Sequence, residues 1–113
     1  MTLPDITVQL LERASEAFSL LFGTRPTTKA ALEYAISLLY TYFKAHGKIP
    51  ELPQWLTKTP SIEPRQVAIS APARMKLEAI AEATHTPLAL VATTAAALLL
   101  TTLEKLHQTT TEA

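Results

Sequence analysis

The sequence predicts a mainly α-helical fold with a short two-stranded antiparallel ribbon, and three observations carry that prediction. Twice along the 113 residues, a short stretch that alternates apolar and polar side chains passes into longer stretches with helical periodicity. The two passages share one register, since Val67, Ile69 and Pro87 each follow Ile6, Val8 and Pro26 by 61 positions. Finally, Leu88 to Leu100 carry no charge, and a helix that is apolar on every side is a buried helix. One compact domain over 1–113 fits this length, and 48% hydrophobic residues suffice for a core without disulfides.

In the first half, Asp5 to Leu10 alternates, with Ile6, Val8 and Leu10 on one side and Asp5, Thr7 and Gln9 on the other. The period of two predicts a half-buried strand. From Leu11 the pattern turns helical through Ala14, Ala17, Phe18 and Leu21, and Gly23 marks the helix end. Thr24-Arg25-Pro26-Thr27-Thr28 then offers capping hydroxyls and an early proline for a second helix. Its stripe of Ala31, Ala35, Leu38 and Leu39 runs to about His46, and Gly47 closes it. The first unit spans 3–46.

Residues 47–64 read as a linker, with Pro50, Pro53, Pro60 and Pro64 and no sustained period. At about 3.3 Å per residue such a segment crosses a small domain with ease. Trp55 within it is expected to anchor onto the core. The second unit, 65–104, repeats the first: Arg65 to Ala71 alternates with Val67 and Ile69 inward, and Pro72 sits where a helix begins. Ala73, Leu77, Ile80 and Ala81 share a helical face, with Glu78 and Glu82 outside it. His85-Thr86-Pro87 then opens a helix from Leu88 to about Leu103, and residues 105–113 are expected to form a flexible tail.

One strand followed by two helices leaves an edge and a face uncovered, whereas two such units close a core by pairing their strands antiparallel. With Gln66-Val67-Ala68-Ile69-Ser70, then Leu77 and Ile80-Ala81, then Thr86-Pro87 before an apolar helix, the sequence resembles the ribbon-helix-helix superfamily of Arc, MetJ and CopG type. The resemblance covers nearly the whole chain, in a tandem form where one polypeptide supplies both units and makes a single-chain pseudo-dimer. It implies that the ribbon enters the major groove of duplex DNA and reads base edges, as a transcriptional repressor or plasmid-type accessory factor.

By position, the base readers implied are Thr7 and Gln9 from the first strand and Gln66 and Ser70 from the second. The resemblance also places phosphates at the N-termini of the second helices. There Thr24, Arg25, Thr27, Thr28 and Lys29 serve one site and His85 and Thr86 the other. Two features depart from a DNA-reading ribbon: Asp5 stands outward where a carboxylate would face phosphates, and Ala68 has no hydrogen-bonding group. The alternative reading is therefore a helical protein-interaction module, antitoxin-like or scaffold, on the same fold without DNA binding.

Composition narrows the remaining classes. Ten basic and ten acidic side chains give zero net charge, which disfavours binding by bulk electrostatics alone. Cysteine is absent, so disulfides, thiolate nucleophiles and sulfur-ligated zinc are excluded, and a cytoplasmic location is the expectation. With two glycines there is no phosphate-cradling loop, and the three histidines have no ligand spacing. Neither an enzyme, a metal, a cofactor, a small-molecule substrate nor a membrane is expected. Beyond DNA, the apolar helix 88–103 is the expected surface for a second copy or a protein partner.

Overall fold

The computed structural model describes residues 2–51 and 65–112, with side chains as far as Gln108. The element order is β1 (Thr2–Leu3), α1 (Asp5–Phe22), α2 (Thr28–His46), β2 (Arg65–Gln66), α3 (Ala71–Thr84) and α4 (Leu88–Glu112). The fold is mainly helical with a two-stranded antiparallel sheet. In that sheet Thr2 lies opposite Gln66 and Leu3 opposite Arg65. The expected anchoring of Trp55, and most of the expected linker, lie outside the described residues.

The ribbon joins the two halves of the chain, but its first strand is Thr2–Leu3 and not the expected segment from Asp5 to Leu10. Asp5 to Leu10 is helix, not strand, so Ile6 and Val8 do not pair with Val67 and Ile69. A strand that turns into a helix needs a junction, and the sequence offers none between Leu10 and Leu11. The junction is Pro4, which lacks an N–H and precedes Asp5, an acidic residue suited to a helix first turn. Once helical from there, the buried residues Thr7, Leu10, Leu11, Ala14 and Ser15 fall at the spacing of one helix face.

Helix ends follow the glycine signals closely. Gly23 and Gly47 end α1 and α2 in the left-handed conformation, at φ 80° and 71°, where a side chain would be strained. At the end of α3 the same conformation is adopted by His85, at φ 52°. Its N–H bonds the last turn of α3, and the Thr86 N–H reaches back to the Ala81 carbonyl. His85 follows Gly23 by 62 positions, one more than the spacing of 61 that relates Val67, Ile69 and Pro87 to Ile6, Val8 and Pro26.

Helix α4 occupies the centre, packed against α1 and α2, while α2 also packs on α3. Every residue from Val91 to Ala96 is buried, together with Leu100 and Leu103. Threonines are tolerated there because Thr93 and Thr94 donate to the carbonyls of Ala89 and Leu90 one turn back, each at 2.8 Å. By length and composition Leu88–Gln108 could also cross a membrane, with 44% of its apolar window buried inside this fold. Helix α4 runs on through residues 105–112, the stretch expected as a tail. No glycine or proline follows Leu103 to stop it.

Helices α1 and α4 run parallel: Thr7 meets Thr93 near their starts, and Leu20 shares a cleft with Glu104 and His107 further along both. Thr93 spends its hydroxyl proton on the Ala89 carbonyl, so Thr7 is the donor in the 2.5 Å bond between the two hydroxyls. Further along α1, the Ser15 hydroxyl is buried with no hydrogen-bond partner among the described residues.

The two hydroxyls predict opposite effects. Thr7→Ala removes a satisfied, fully buried group and is expected to lower stability by about 1 to 3 kcal/mol. Ser15→Ala removes an unsatisfied one and is expected to raise stability by roughly 1 kcal/mol. Urea unfolding of both variants beside the parent checks the signs. A separate thermal melt checks the cap of α3, where His85→Gly is expected to gain about 0.5 to 1 kcal/mol by relieving the positive φ.

Candidate nucleic-acid interface

The ribbon is where polar side chains from the two halves meet. Cross-strand partners share a face, so Thr2 and Gln66 point the same way, and both are exposed. The Gln66 amide donates to the Thr2 hydroxyl across the ribbon. On the opposite face Leu3 is fully buried, and Val67 and Ile69 pack partly against the core. Arg65 opposes Leu3 but extends out to Glu12 on α1 at 3.4 Å, with both side chains about half exposed. An ion pair that open contributes at most about 1 kcal/mol.

Of the base readers implied by the resemblance, Gln66 alone takes the outward ribbon position. Thr7 is fully buried against Thr93, so its assignment to base contact is corrected. Gln9 is exposed, but on helix α1, where its amide donates to Asp5 at 2.9 Å one turn back. Ser70 is half-buried and serves as the N-cap of α3, accepting from the Ala73 N–H at 3.4 Å.

That cap has a second component that local sequence does not show. A capping box supplies a Glu or Gln three residues after the cap to accept the cap residue's own N–H. Here that position is Ala73, and the acceptor is Glu33 of α2, 3.3 Å from the Ser70 N–H. Hydrogen bonds from the Ser70 hydroxyl, with smaller contributions from its N–H and the charge of Lys29, hold the Glu33 carboxyl below its ordinary value of 4.5 despite some desolvation. The N-terminus of α3 is thereby tied to the second turn of α2.

The implied phosphate sites divide in the same way. Thr27 is the N-cap of α2, accepting from the Ala30 N–H at 3.1 Å. Thr24, Arg25 and Lys29 are exposed around that helix start, and Thr28, its first residue, is half-buried. At the start of α4, the Thr86 hydroxyl turns back to donate to the Thr84 carbonyl at 3.1 Å. His85 is exposed beside it.

A second basic feature lies elsewhere, where α2 packs on α3. The ammonium groups of Lys44 and Lys76 stand 5.3 Å and 5.7 Å from the centre of the half-buried Tyr40 ring. Neither lysine is within ion-pair distance of a carboxylate among the described residues. Lys44 suits the last turn of α2, where the helix dipole favours cations, but Lys76 comes from the second turn of α3 and has no such reason. A single exposed cation on an aromatic face gains about 0.5 to 1 kcal/mol.

No protein-family model, no curated protein and no solved structure matches this chain.

The Glu33 contact makes a pH prediction. A carboxyl held below its ordinary value stabilises the fold at pH above about 4.5, and that contribution is lost as pH falls through the depressed folded value. In acid-unfolding curves, Glu33→Gln is expected to be less stable than the parent at neutral pH, with the difference shrinking toward pH 3.

Proposed function

We propose that the chain is a tandem ribbon-helix-helix protein, a single-chain pseudo-dimer, that binds duplex DNA through its ribbon as a repressor or plasmid-type accessory factor. The observation that carries this reading is the ribbon itself: one strand from each half, paired antiparallel, with Thr2 and Gln66 outward over a helical core. Exchange of the two halves turns the packing of α1 on α4 into that of α3 on α2, and both packings are present. With a shift of one residue from the 61-residue register, the exchange also carries Gly23 onto His85, each ending its helix with a positive φ. These relations support a pseudo-twofold axis through the ribbon, the symmetry that a near-palindromic site would match.

In this reading Gln66 contacts a base edge, with Thr2 in place of Thr7 as the first strand's contribution. The exposed start of α2, with Arg25 and Lys29, and the start of α4 beside His85 hold phosphates by backbone amides and the helix dipole. Placed dipoles matter more than usual in a chain of zero net charge.

A second reading, a protein-interaction module without DNA affinity, is favoured by a specific set of side chains. Leu20, Phe22, Tyr34 and Met75 are all more than half exposed. Phe22 stacks against Phe18 at 4.6 Å, which in turn meets Tyr34 at 5.9 Å, an aromatic surface where α1 hands over to α2. A cleft of about 250 Å³ lined by Ala17, Leu20, Glu104, His107 and Gln108 lies where α1 and α4 end side by side.

Affinity for genomic duplex fragments, measured against salt concentration, separates the two readings. The DNA reading expects a shallow slope of about three to five phosphates. It also expects Gln66→Ala to weaken specific binding by roughly 1 to 3 kcal/mol with stability unchanged, and Arg25→Ala to weaken all sequences equally. If no duplex is bound at low salt, where electrostatic attraction is greatest, the interaction-module reading replaces it.

A further inference from the structure

We infer that the Thr2 hydroxyl sets the ribbon to read adenine, so that Gln66 recognises an A·T pair and rejects G·C at the same position. The inference rests on the DNA reading above and names the base which that reading leaves open. A glutamine amide has two N–H donors and one carbonyl acceptor. One donor of Gln66 is spent on the hydroxyl of Thr2, its antiparallel partner in the ribbon. One N–H and the carbonyl remain, and both residues are exposed. That remainder matches the major-groove edge of adenine, which offers an acceptor at N7 and a donor at N6. Guanine offers two acceptors there, N7 and O6, so a Gln66 held by Thr2 meets one of them with its own carbonyl oxygen. An acceptor facing an acceptor leaves both without a hydrogen bond once water is excluded, and bonds left unmade in that way are costly.

The neighbouring residues point to the same base pair. Burial alternates beyond the strand, with Val67 and Ile69 half-buried and Ala68 exposed, which places Ala68 on the side of Gln66. Its methyl group has no hydrogen bond to offer, and the contact open to it in the major groove is the thymine methyl. Arginine and lysine are the side chains that read guanine, and the described ribbon strands hold one of them, Arg65. Arg65 lies opposite Leu3, on the other face from Gln66, and reaches to Glu12 on α1. The outward side of the ribbon therefore presents Thr2, Gln66 and Ala68 with no cation among them. Thr2 acts here as a positioning residue, because its hydroxyl fixes which groups of the amide are left for the base.

Full-length protein is used to select bound duplexes at low salt from a pool with a randomised central segment, and the retained duplexes are sequenced. The parent is expected to enrich an adenine whose enrichment disappears in Gln66→Ala. At that position, exchange of A·T for G·C is expected to weaken binding about tenfold or more. An adenine analogue with carbon in place of N7 is expected to weaken binding severalfold in the parent and not in Gln66→Ala. Thr2→Val keeps the shape and loses the hydroxyl, so the amide recovers its second donor. Its preference for adenine over guanine is expected to fall about tenfold, with affinity for a duplex lacking the site unchanged. Thr2→Ser, which keeps the hydroxyl, is expected to keep the preference. A merely structural role for Thr2 would instead lower affinity for every duplex alike and leave the ratio unmoved in Thr2→Val, and that result overturns the inference. Guanine, or no preferred base, at the position that depends on Gln66 also overturns it, while the DNA reading stands. If the pool retains no duplex at all, the DNA reading falls and this inference falls with it.

Discussion

Helix α4 has no polar face over its first half, and the rest of the molecule is arranged around that fact. Burying Val91 to Ala96 on all sides requires neighbours from both halves of the chain, because α3 alone covers one side. Helices α1 and α2 supply the others, at about 25 cal/mol for each Å² of apolar surface they withdraw from water. Such burial is indifferent to direction, so it explains why the halves associate but not why they associate in one register. Direction comes from polar contacts that cross between halves: Thr7 to Thr93, Ser70 to Glu33, Gln66 to Thr2 and Arg65 to Glu12. The first is buried and the others more open, so the hydroxyl pair is the contact whose misplacement would leave a polar group stranded without water.

The same division separates what was legible in the sequence from what was not. Helix ends were legible because their signals are local: Gly23, Gly47 and Pro87 each sit where backbone geometry restricts the residue type, and the structure ends or begins a helix beside each. The buried stripes of α2 and α3 were legible too, through Ala31, Ala35, Leu39, Leu77 and Ile80. The first strand was misread because alternation at Ile6, Val8 and Leu10 is short enough to coincide with a helical stripe starting at Thr7. What decided between them was the junction at Pro4. A strand of two residues such as Thr2–Leu3 has no period at all, so only its partner could reveal it.

The candidate sites were less legible than the fold for a related reason. Gln66 was found because it belongs to an alternating run whose outward side is set locally. Thr7 was placed outward by the same rule, and one change of secondary structure put it in the core. Ser70 was read as a surface hydroxyl, yet its acceptor partner, Glu33, lies on another helix and replaces the local residue that a capping box would use. Tyr40, Lys44 and Lys76 carried no local signal, since nothing in the spacing of two lysines on separate helices announces a shared ring.

The ribbon also has a consequence for the order in which the protein can be made. Thr2 is among the first of these residues to be synthesised, and its partner Gln66 follows only after both helices of the first half. Thr7 waits longer still, until Thr93. Contacts of such wide sequence separation close slowly, since the chain entropy of the loop is lost before the contact forms. During synthesis the first half therefore stands with the apolar faces of α1 and α2 formed but uncovered, exposed to any other unfinished chain nearby. A ribosome-bound intermediate of this kind holds its most adhesive surface open for the whole time needed to translate the second half, and it becomes the native fold only when α4 arrives to fill the space between them.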